Sequence, residues 1–277
     1  MRFAKYEGIG NDFVMIADPA DELRLSAEQV RSLCDRRFGI GADGVIRVAP
    51  GHDGTQLFMD YVNSDGSVGE MCGNGIRCLA LFARAEGMSE GDDIRVGTRA
   101  GTKAVSIIDR DRVRVDMGAP IFAPAKIPVG WDGDDALHAK IELETEVVEA
   151  AVLSMGNPHA VLFVEDAQAA PVTSLGPLIE RHDIFPNGTN VEFATVESSE
   201  RVRMRVWERG VGETLACGTG AAAVAVASRL LHGVSSPVTV TLPGGRLEIE
   251  WSGRDDQEAS VFMTGPARRV FDGDITL

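Results

Sequence analysis

The sequence predicts an α/β (α+β) protein of two structurally similar lobes related by a pseudo-twofold axis, each a barrel-like sheet around a central helix. Three observations predict it. The chain matches itself in order at an offset of 145 to 147 residues, two Cys-Gly-X-Gly motifs each open an apolar helix, and short β-branched segments separated by turns fill much of the rest.

The internal match rests on several anchors rather than one. Cys72-Gly73-Asn74-Gly75 lies on Cys217-Gly218-Thr219-Gly220, Gly10-Asn11 on Gly156-Asn157, and Gly41-Ala42-Asp43 on Gly188-Thr189-Asn190. Asn63 stands nine residues before Cys72, as Glu208 does before Cys217, and Asp116-Met117-Gly118 can be laid on Met263-Thr264-Gly265. A duplicated chain follows, with an N-terminal lobe over 1–118, a C-terminal lobe over 119–263, and a tail, 264–277, that returns to the first lobe. Pro120–Pro128, with three prolines, reads as the linker.

The elements follow in order. Ser26-Ala27-Glu28-Gln29 is a capping box with Leu25 and Val30 placed as a staple, so a helix runs to about Arg36. The run after Cys72 (Ile76, Leu79 to Ala83) is apolar over most of its circumference and stops at Gly87. The run after Cys217 (Ala221–Ala227, Leu230-Leu231) stops at Gly233. A helix apolar nearly all round is a buried one. Strands are predicted at Ile94–Val96, Lys103–Ile108 and Arg112–Asp116, then at Val161–Val164, Arg201–Trp207, Val238–Leu242, Arg246–Trp251 and Ser260–Met263. Turns fall at Asp109-Arg110-Asp111 and Pro243-Gly244-Gly245, and Thr173 or Ser174 starts a short helix through Glu180.

Composition narrows the function. With 27 Lys+Arg against 42 Asp+Glu, a formal charge of −15, the chain lacks the basic face that nucleic-acid binding requires. No apolar run approaches a membrane span of about 20 residues, and the start has no signal-peptide stretch. Four cysteines are too few for a disulfide scaffold and lack zinc spacing, so no metal is expected; a cytoplasmic protein with reduced thiols is.

The chemistry points to the two helix starts. A helix N-terminus presents unpaired N–H groups and about half a positive charge, which suits a carboxylate. A cysteine there feels the same field, which favours its thiolate. A lone Cys-Gly at a helix start is more often a packed small residue, but recurrence of the thiol at matching places while its neighbours diverge favours chemistry. If the lobes face one another, so do Cys72 and Cys217, and a base on one face of a carbon with an acid on the other is what inversion requires. Neither a dinucleotide fingerprint nor a P-loop lysine is present, so cofactor-independent racemisation or epimerisation is expected. Cys34 and Cys78 have no counterpart and read as structural. Asn11 and Asn157 are paired amides suited to orienting a substrate, His159 lies two residues after Asn157, and Glu208 keeps register with Asn63. Arg209 is a natural partner for a second carboxylate. Asp43, matching Asn190, could equally be a tight turn.

Taken together, these blocks resemble the diaminopimelate epimerase family over nearly the whole chain. The resemblance is carried by Gly8-Ile9-Gly10-Asn11-Asp12-Phe13, Gly39 to Gly44, Asn63-Ser64-Asp65-Gly66-Ser67, Met71 to Cys78, Met155 to His159, Pro186 to Val191, Glu208 to Thr214 and Ala216 to Gly220. It implies interconversion of LL- and meso-2,6-diaminopimelate by two thiols, Cys72 and Cys217, without a cofactor, in lysine and peptidoglycan-precursor biosynthesis. It implies that Gly73, Asn74, Gly218 and Thr219 hold the α-carboxylate through backbone N–H groups. Asn11, Asn63, Asn157, Asn190, Glu208 and Arg209 would line the site, His159 and Glu208 would tune the cysteines, and the protein would be a homodimer. Gly44 stands where some members carry Gln, and Phe271 where some carry a Tyr linked to dimerisation.

Two rivals stand beside this reading. A proline racemase or hydroxyproline epimerase shares a CGTG-like second motif but usually carries His where this chain has Asn74, and its ring substrate has no remote carboxylate for Arg209. A non-catalytic amino-acid binding protein would need no cysteine.

Overall fold

The computed structural model describes residues 1–127, 129–130, 135–254 and 256–276. The chain divides into two compact units, Met1–Asp116 with Thr264–Leu277, and Met117–Met263. Pro128, the end of the anticipated linker, lies outside the described residues; before it, Ile121 bridges Ser154 within the second unit.

In the first unit, β1 (Arg2–Gly8), β2 (Asn11–Ala17), β3 (Gly44–Pro50), β4 (Leu57–Asn63), β5 (Asp93–Thr98), β6 (Gly101–Ile107) and β7 (Arg112–Gly118) pair successively, and β17 (Arg268–Asp274) lies antiparallel on β1. The β1–β2 and β3–β4 pairs are antiparallel, and β2–β3 and β4–β5 are parallel. Each parallel step needs a crossover, supplied by α1 (Ala27–Cys34) and α2 (Gly73–Ala85). In the second unit, β8 (Ala139–Glu142) lies on β9 (Val147–Ser154), followed by β10 (Pro158–Phe163), β11 (Asn190–Ser198), β12 (Arg201–Glu208), β14 (Val238–Leu242) and β15 (Gly245–Glu250). From β9 onward the pairing again alternates antiparallel, parallel, antiparallel, parallel. Here α3 (Val172–Glu180) and α4 (Gly218–His232) are the crossovers, with the short β13 (Gly212–Thr214) folded back on β12 and β16 (Val261–Pro266) last. The repeat seen in the sequence is thus a repeat of strand pairing and crossover.

Each unit wraps its strands around the helix that follows its cysteine motif. Every residue from Gly73 to Ala83 is buried in α2, which touches β1, β2, β3, β6 and β17. In α4, Gly218 and Gly220 through Ser228 are buried against β9, β10, β11, β12, β14 and β15. Helix ends follow local chemistry. Ser26 and Gln29 close the capping box reciprocally. At the other end α1 stops at Cys34, two residues short of the expected Arg36, because the Asp35 carboxylate accepts the N–H groups of Arg37 and Phe38 at 2.7 Å each and turns the chain away. Helix α3 starts at Val172, one residue before Thr173, where Pro171 accepts the Leu175 N–H at 2.8 Å. Gly233 ends α4 at φ 66°. Strands β1 to β4, β8, β9, β11, β13 and β17 are not among the expected strands; in β2 and β3, Phe13–Ile16 and Val45–Ala49 are buried on both faces and show no alternation, the second run even holding the buried Arg47.

Candidate active site

In the first unit, Cys72 is the N-cap residue of α2, with extended backbone (φ −134°, ψ 118°), and its sulfur accepts the Gly75 N–H at 3.4 Å. A cap sulfur takes the role usually held by a Ser or Asp oxygen, so the thiol sits where unpaired N–H groups converge. Asn11, at the start of β2, is held from both sides. Its Nδ2 donates to Asp43 Oδ2 at 2.7 Å, while its Oδ1 accepts from Asn74 Nδ2 at 3.3 Å and from Cys72 Sγ at 3.6 Å. Asn74 is fixed in turn by Arg77, whose Nη2 donates to Asn74 Oδ1 at 3.0 Å. Arg77 is fully buried and donates also to Gly73 O and Pro266 O. A guanidinium only donates and a carboxylate only accepts, so Arg77 and Asp43 orient the two amides between them.

Asp43 is more than a turn residue, because it also accepts the Asp12 N–H and pairs with Arg36 at 2.7 Å. Arg36 and the buried Lys5 reach Asp12 as well, at 2.7 and 2.5 Å. Burial works to raise the Asp12 pKa, but these two cations outweigh it and bring the carboxyl down to about 2. Asn63 stands apart from Cys72 in its bonding: its Nδ2 donates to Ser67 Oγ at 2.9 Å, and it pairs with Gly44 across β3 and β4. A Cβ at Gly44 would come within 2.6 Å of the Tyr61 ring and 2.7 Å of Val62 O, so packing here excludes a longer residue such as Gln.

In the second unit, Cys217 repeats the cap on α4 with nearly the same backbone (φ −128°, ψ 112°) and accepts the Gly220 N–H at 3.4 Å. Thr219 Oγ1 lies 3.6 Å from its sulfur. Glu208, at the end of β12, accepts hydrogen bonds from the Thr214 hydroxyl and the Cys217 thiol. Burial pushes the Glu208 carboxyl up, those two hydrogen bonds oppose the shift, and the charge of Glu192 adds to it. His159 is fully buried, with Nδ1 2.6 Å from Glu192 Oε1 and Nε2 3.0 Å from Asn157 Oδ1. So Asn157 and His159 form one group, and Cys217, Thr219 and Glu208 another.

Asn190 and Arg209 form a third. Asn190 is buried, its Nδ2 donating to Pro158 O at 2.9 Å and its Oδ1 accepting the Arg209 N–H at 3.0 Å. Its amide therefore holds two backbone segments together. The Arg209 side chain is exposed and donates to Asn187 O at 3.3 Å.

One expectation is corrected. The helix end was expected to favour the Cys217 thiolate, but burial pushes this thiol well above its ordinary value, and the charges of Glu208 and Glu192 push the same way. The N–H of Gly220 and the Thr219 hydroxyl pull downward and lose. The structural thiols Cys34 and Cys78 are buried and free, and burial raises Cys34 to about 11 and Cys78 further. The sequence reading missed Glu192, Arg77 and Thr214. Glu192 follows Asn190 by two residues on a strand, which puts both on one face, and Arg77 is a cation within the apolar stretch of a helix. Those were the available signals. Among the described residues, no group of three or more His, Cys, Asp or Glu side chains is placed to hold a metal ion, and no helix is long and apolar enough to cross a membrane.

Comparison with known proteins places these sites in context. A solved structure of a probable proline racemase from Agrobacterium radiobacter with bound carbonate superposes with a TM-score of 0.71 at 15% identity, covering 100% of this chain and 93% of that one, a likeness of fold. The diaminopimelate epimerase of Moorella thermoacetica is 48% identical over 282 residues, and that of Leptospira biflexa 44% over 283, each covering 100% of this chain and at least 99% of its own length. The family model described as diaminopimelate epimerase matches residues 3–123 and 151–270, one stretch containing each cysteine motif, and the chain belongs to that family.

Proposed function

We propose that this protein is an isomerase that interconverts LL- and meso-2,6-diaminopimelate, with Cys72 and Cys217 as its acid–base pair and without a cofactor. The observation that carries this reading is the repeated cap: one thiol in each unit, at the N-terminus of a buried helix, accepting the N–H of the second glycine of its own motif. Membership of the family supports the substrate, and a binding protein would not need the thiols.

The chemistry follows from these groups. A thiolate removes the α-proton, leaving the C–H electron pair on carbon, where it spreads into the α-carboxylate as enediolate charge. The other thiol gives its proton to the opposite face of that carbon. The stereocentre is inverted, and the thiolate and thiol have exchanged places, ready for the reverse reaction. The N–H groups at Gly73, Asn74, Gly218 and Thr219 stabilise the carboxylate as that charge develops. Asn11, Asn63, Asn157, Asn190, Glu208 and Arg209 line the site and read the remote amino-acid end, and Glu208 and His159 tune the cysteines. The lysine and peptidoglycan-precursor role, a cytoplasmic location and a homodimer complete the reading.

The test is incubation of meso-diaminopimelate with the protein in D2O, with L-proline in parallel. Deuterium should enter the diaminopimelate α-carbon and not proline. Cys72→Ala and Cys217→Ala should each lose turnover by about 10³-fold or more. Normal epimerisation by both variants, or preference for proline, would overturn the proposal.

A further inference from the structure

Glu192 has no part in the mechanism above, yet it is fully buried beside it. One carboxylate oxygen, Oε1, lies 2.6 Å from His159 Nδ1, and Oε2 has no hydrogen-bond partner among the described residues. A carboxylate and an amide oxygen both only accept, so both ring nitrogens of His159 face acceptors, Nδ1 facing Glu192 Oε1 and Nε2 facing Asn157 Oδ1, and the ring orientation is fixed from both sides. The same Oε1 borders the first turn of α4. A Cβ built on Gly220 would lie 2.7 Å from it and 3.3 Å from Cys217 Sγ, so the carboxylate and the thiol flank the same glycine. A buried carboxylate with one oxygen unsatisfied costs stability that an apolar side chain of similar volume would not. Packing of the strand alone therefore gives no reason for it.

We propose that Glu192 is a positioning residue for the acid–base group around Cys217: it locks the His159 ring through Nδ1 and backs the thiol with a fixed negative charge. The arrangement follows the logic of a general base oriented by a third group. The groups set against it are His159 from β10, Glu208 from β12, and Gly220 with Cys217 at the head of α4; Asn157, Thr214 and Thr219 bond in turn to His159, Glu208 and Cys217. Burial leads in keeping Cys217 a thiol, and Glu192 adds to it, so neutralising Glu192 eases thiolate formation. The inference rests on the reading of Cys217 as an acid–base residue, and its test separates the two.

Glu192→Gln and Glu192→Asp are made in the full chain. For each, kcat and KM are measured across pH, and the rates of iodoacetamide alkylation of the Cys217 and Cys72 peptides are read by mass spectrometry. The His159 Nδ1–H is followed by NMR of protein labelled with 15N-histidine. Glu192→Gln should lower kcat about 10²-fold with KM within about threefold, and shift the pH profile. Its Cys217 peptide should alkylate roughly 3- to 10-fold faster while the Cys72 peptide keeps its rate, the internal control for an intact fold. Glu192→Asp, one methylene shorter, should lose the hydrogen-bonded Nδ1–H signal, and it supplies the same readouts if the Gln variant does not fold. An unchanged kcat or an unchanged Cys217 alkylation rate in both variants overturns the proposal. If the wild-type protein fails to epimerise diaminopimelate, the alkylation and NMR arms still decide the role of Glu192, so the two failures are distinguishable.

Discussion

The two capping thiols have nearly the same backbone and quite different company. Cys72 sits among amides: Asn11 faces its sulfur, Asn74 holds Asn11, and the buried cation Arg77 holds Asn74. Cys217 sits among carboxylates, with Glu208 bonded to the thiol and Glu192 close behind. At the place in the second motif that matches Arg77 stands Ala222, also fully buried. Duplication preserved what the backbone supplies, a helix end and a cap, while the electrostatics diverged. Carboxylates near Cys217 favour its neutral form.

The largest way to break this asymmetry is at Arg77. Its fork serves Gly73 O, Asn74 Oδ1 and Pro266 O in separate directions, which a lysine ammonium cannot reproduce. Arg77→Lys should cost about 2–4 kcal/mol in chemical denaturation and lower kcat/KM by about 10-fold or more, since Asn74 and Asn11 lose their fixed orientation. Retention of both values would mean that Asn74 is positioned by the helix alone.

A smaller effect compares the paired glycines. A Cβ at Gly75 would meet Ile46 Cδ1 at 2.6 Å and Met59 Cε at 3.0 Å, the movable ends of aliphatic chains. At Gly220 it would meet Glu192 Oε1 at 2.7 Å, held in place by its bond to His159. Alanine gains about 1 kcal/mol over glycine in a helix, so Gly75→Ala should be close to neutral. Gly220→Ala should cost about 1–3 kcal/mol and reproduce the faster Cys217 alkylation expected of Glu192→Gln. Equal costs at the two sites in thermal unfolding would remove the distinction.

The smallest effect is on the pH dependence of stability, and it has opposite signs in the two units. Asp12 titrates near 2 when folded against 3.8 unfolded, so its contribution is present above the unfolded value and is lost as pH falls through about 2. Glu208 is raised above 4.5, so its contribution is present below that value and lost as pH rises through the folded value. In a series of melting temperatures against pH, Asp12→Asn should flatten the acid limb. Glu208→Gln should gain on the wild type toward neutral pH and lose that gain below about 4.5. A Glu208→Gln curve parallel to the wild type would mean that its carboxyl is not raised.

Legibility from the sequence varied with how local the cause was. The capping box at Ser26, the glycine stop at Gly233 and both cysteine-led helices could be read directly, because each depends on neighbours within a few residues. Strands β2 and β3 could not, because burial on both faces erases the alternation that marks a strand. Among the candidate site residues, Asn11, Asn157 and Glu208 could be found through the repeat, whereas Glu192 and Arg77 have no polar counterpart in the other half to draw attention.

Sequence alone determined the duplicated topology, the two helix caps and the thiols upon them, since periodicity, capping chemistry and internal similarity act over short stretches or simple matches. Tertiary structure alone decided the proton affinity of Cys217. Burial sets that quantity first, and carboxylates from β11 and β12 add to it, both acting only once the sheet has closed on the helix and excluded water.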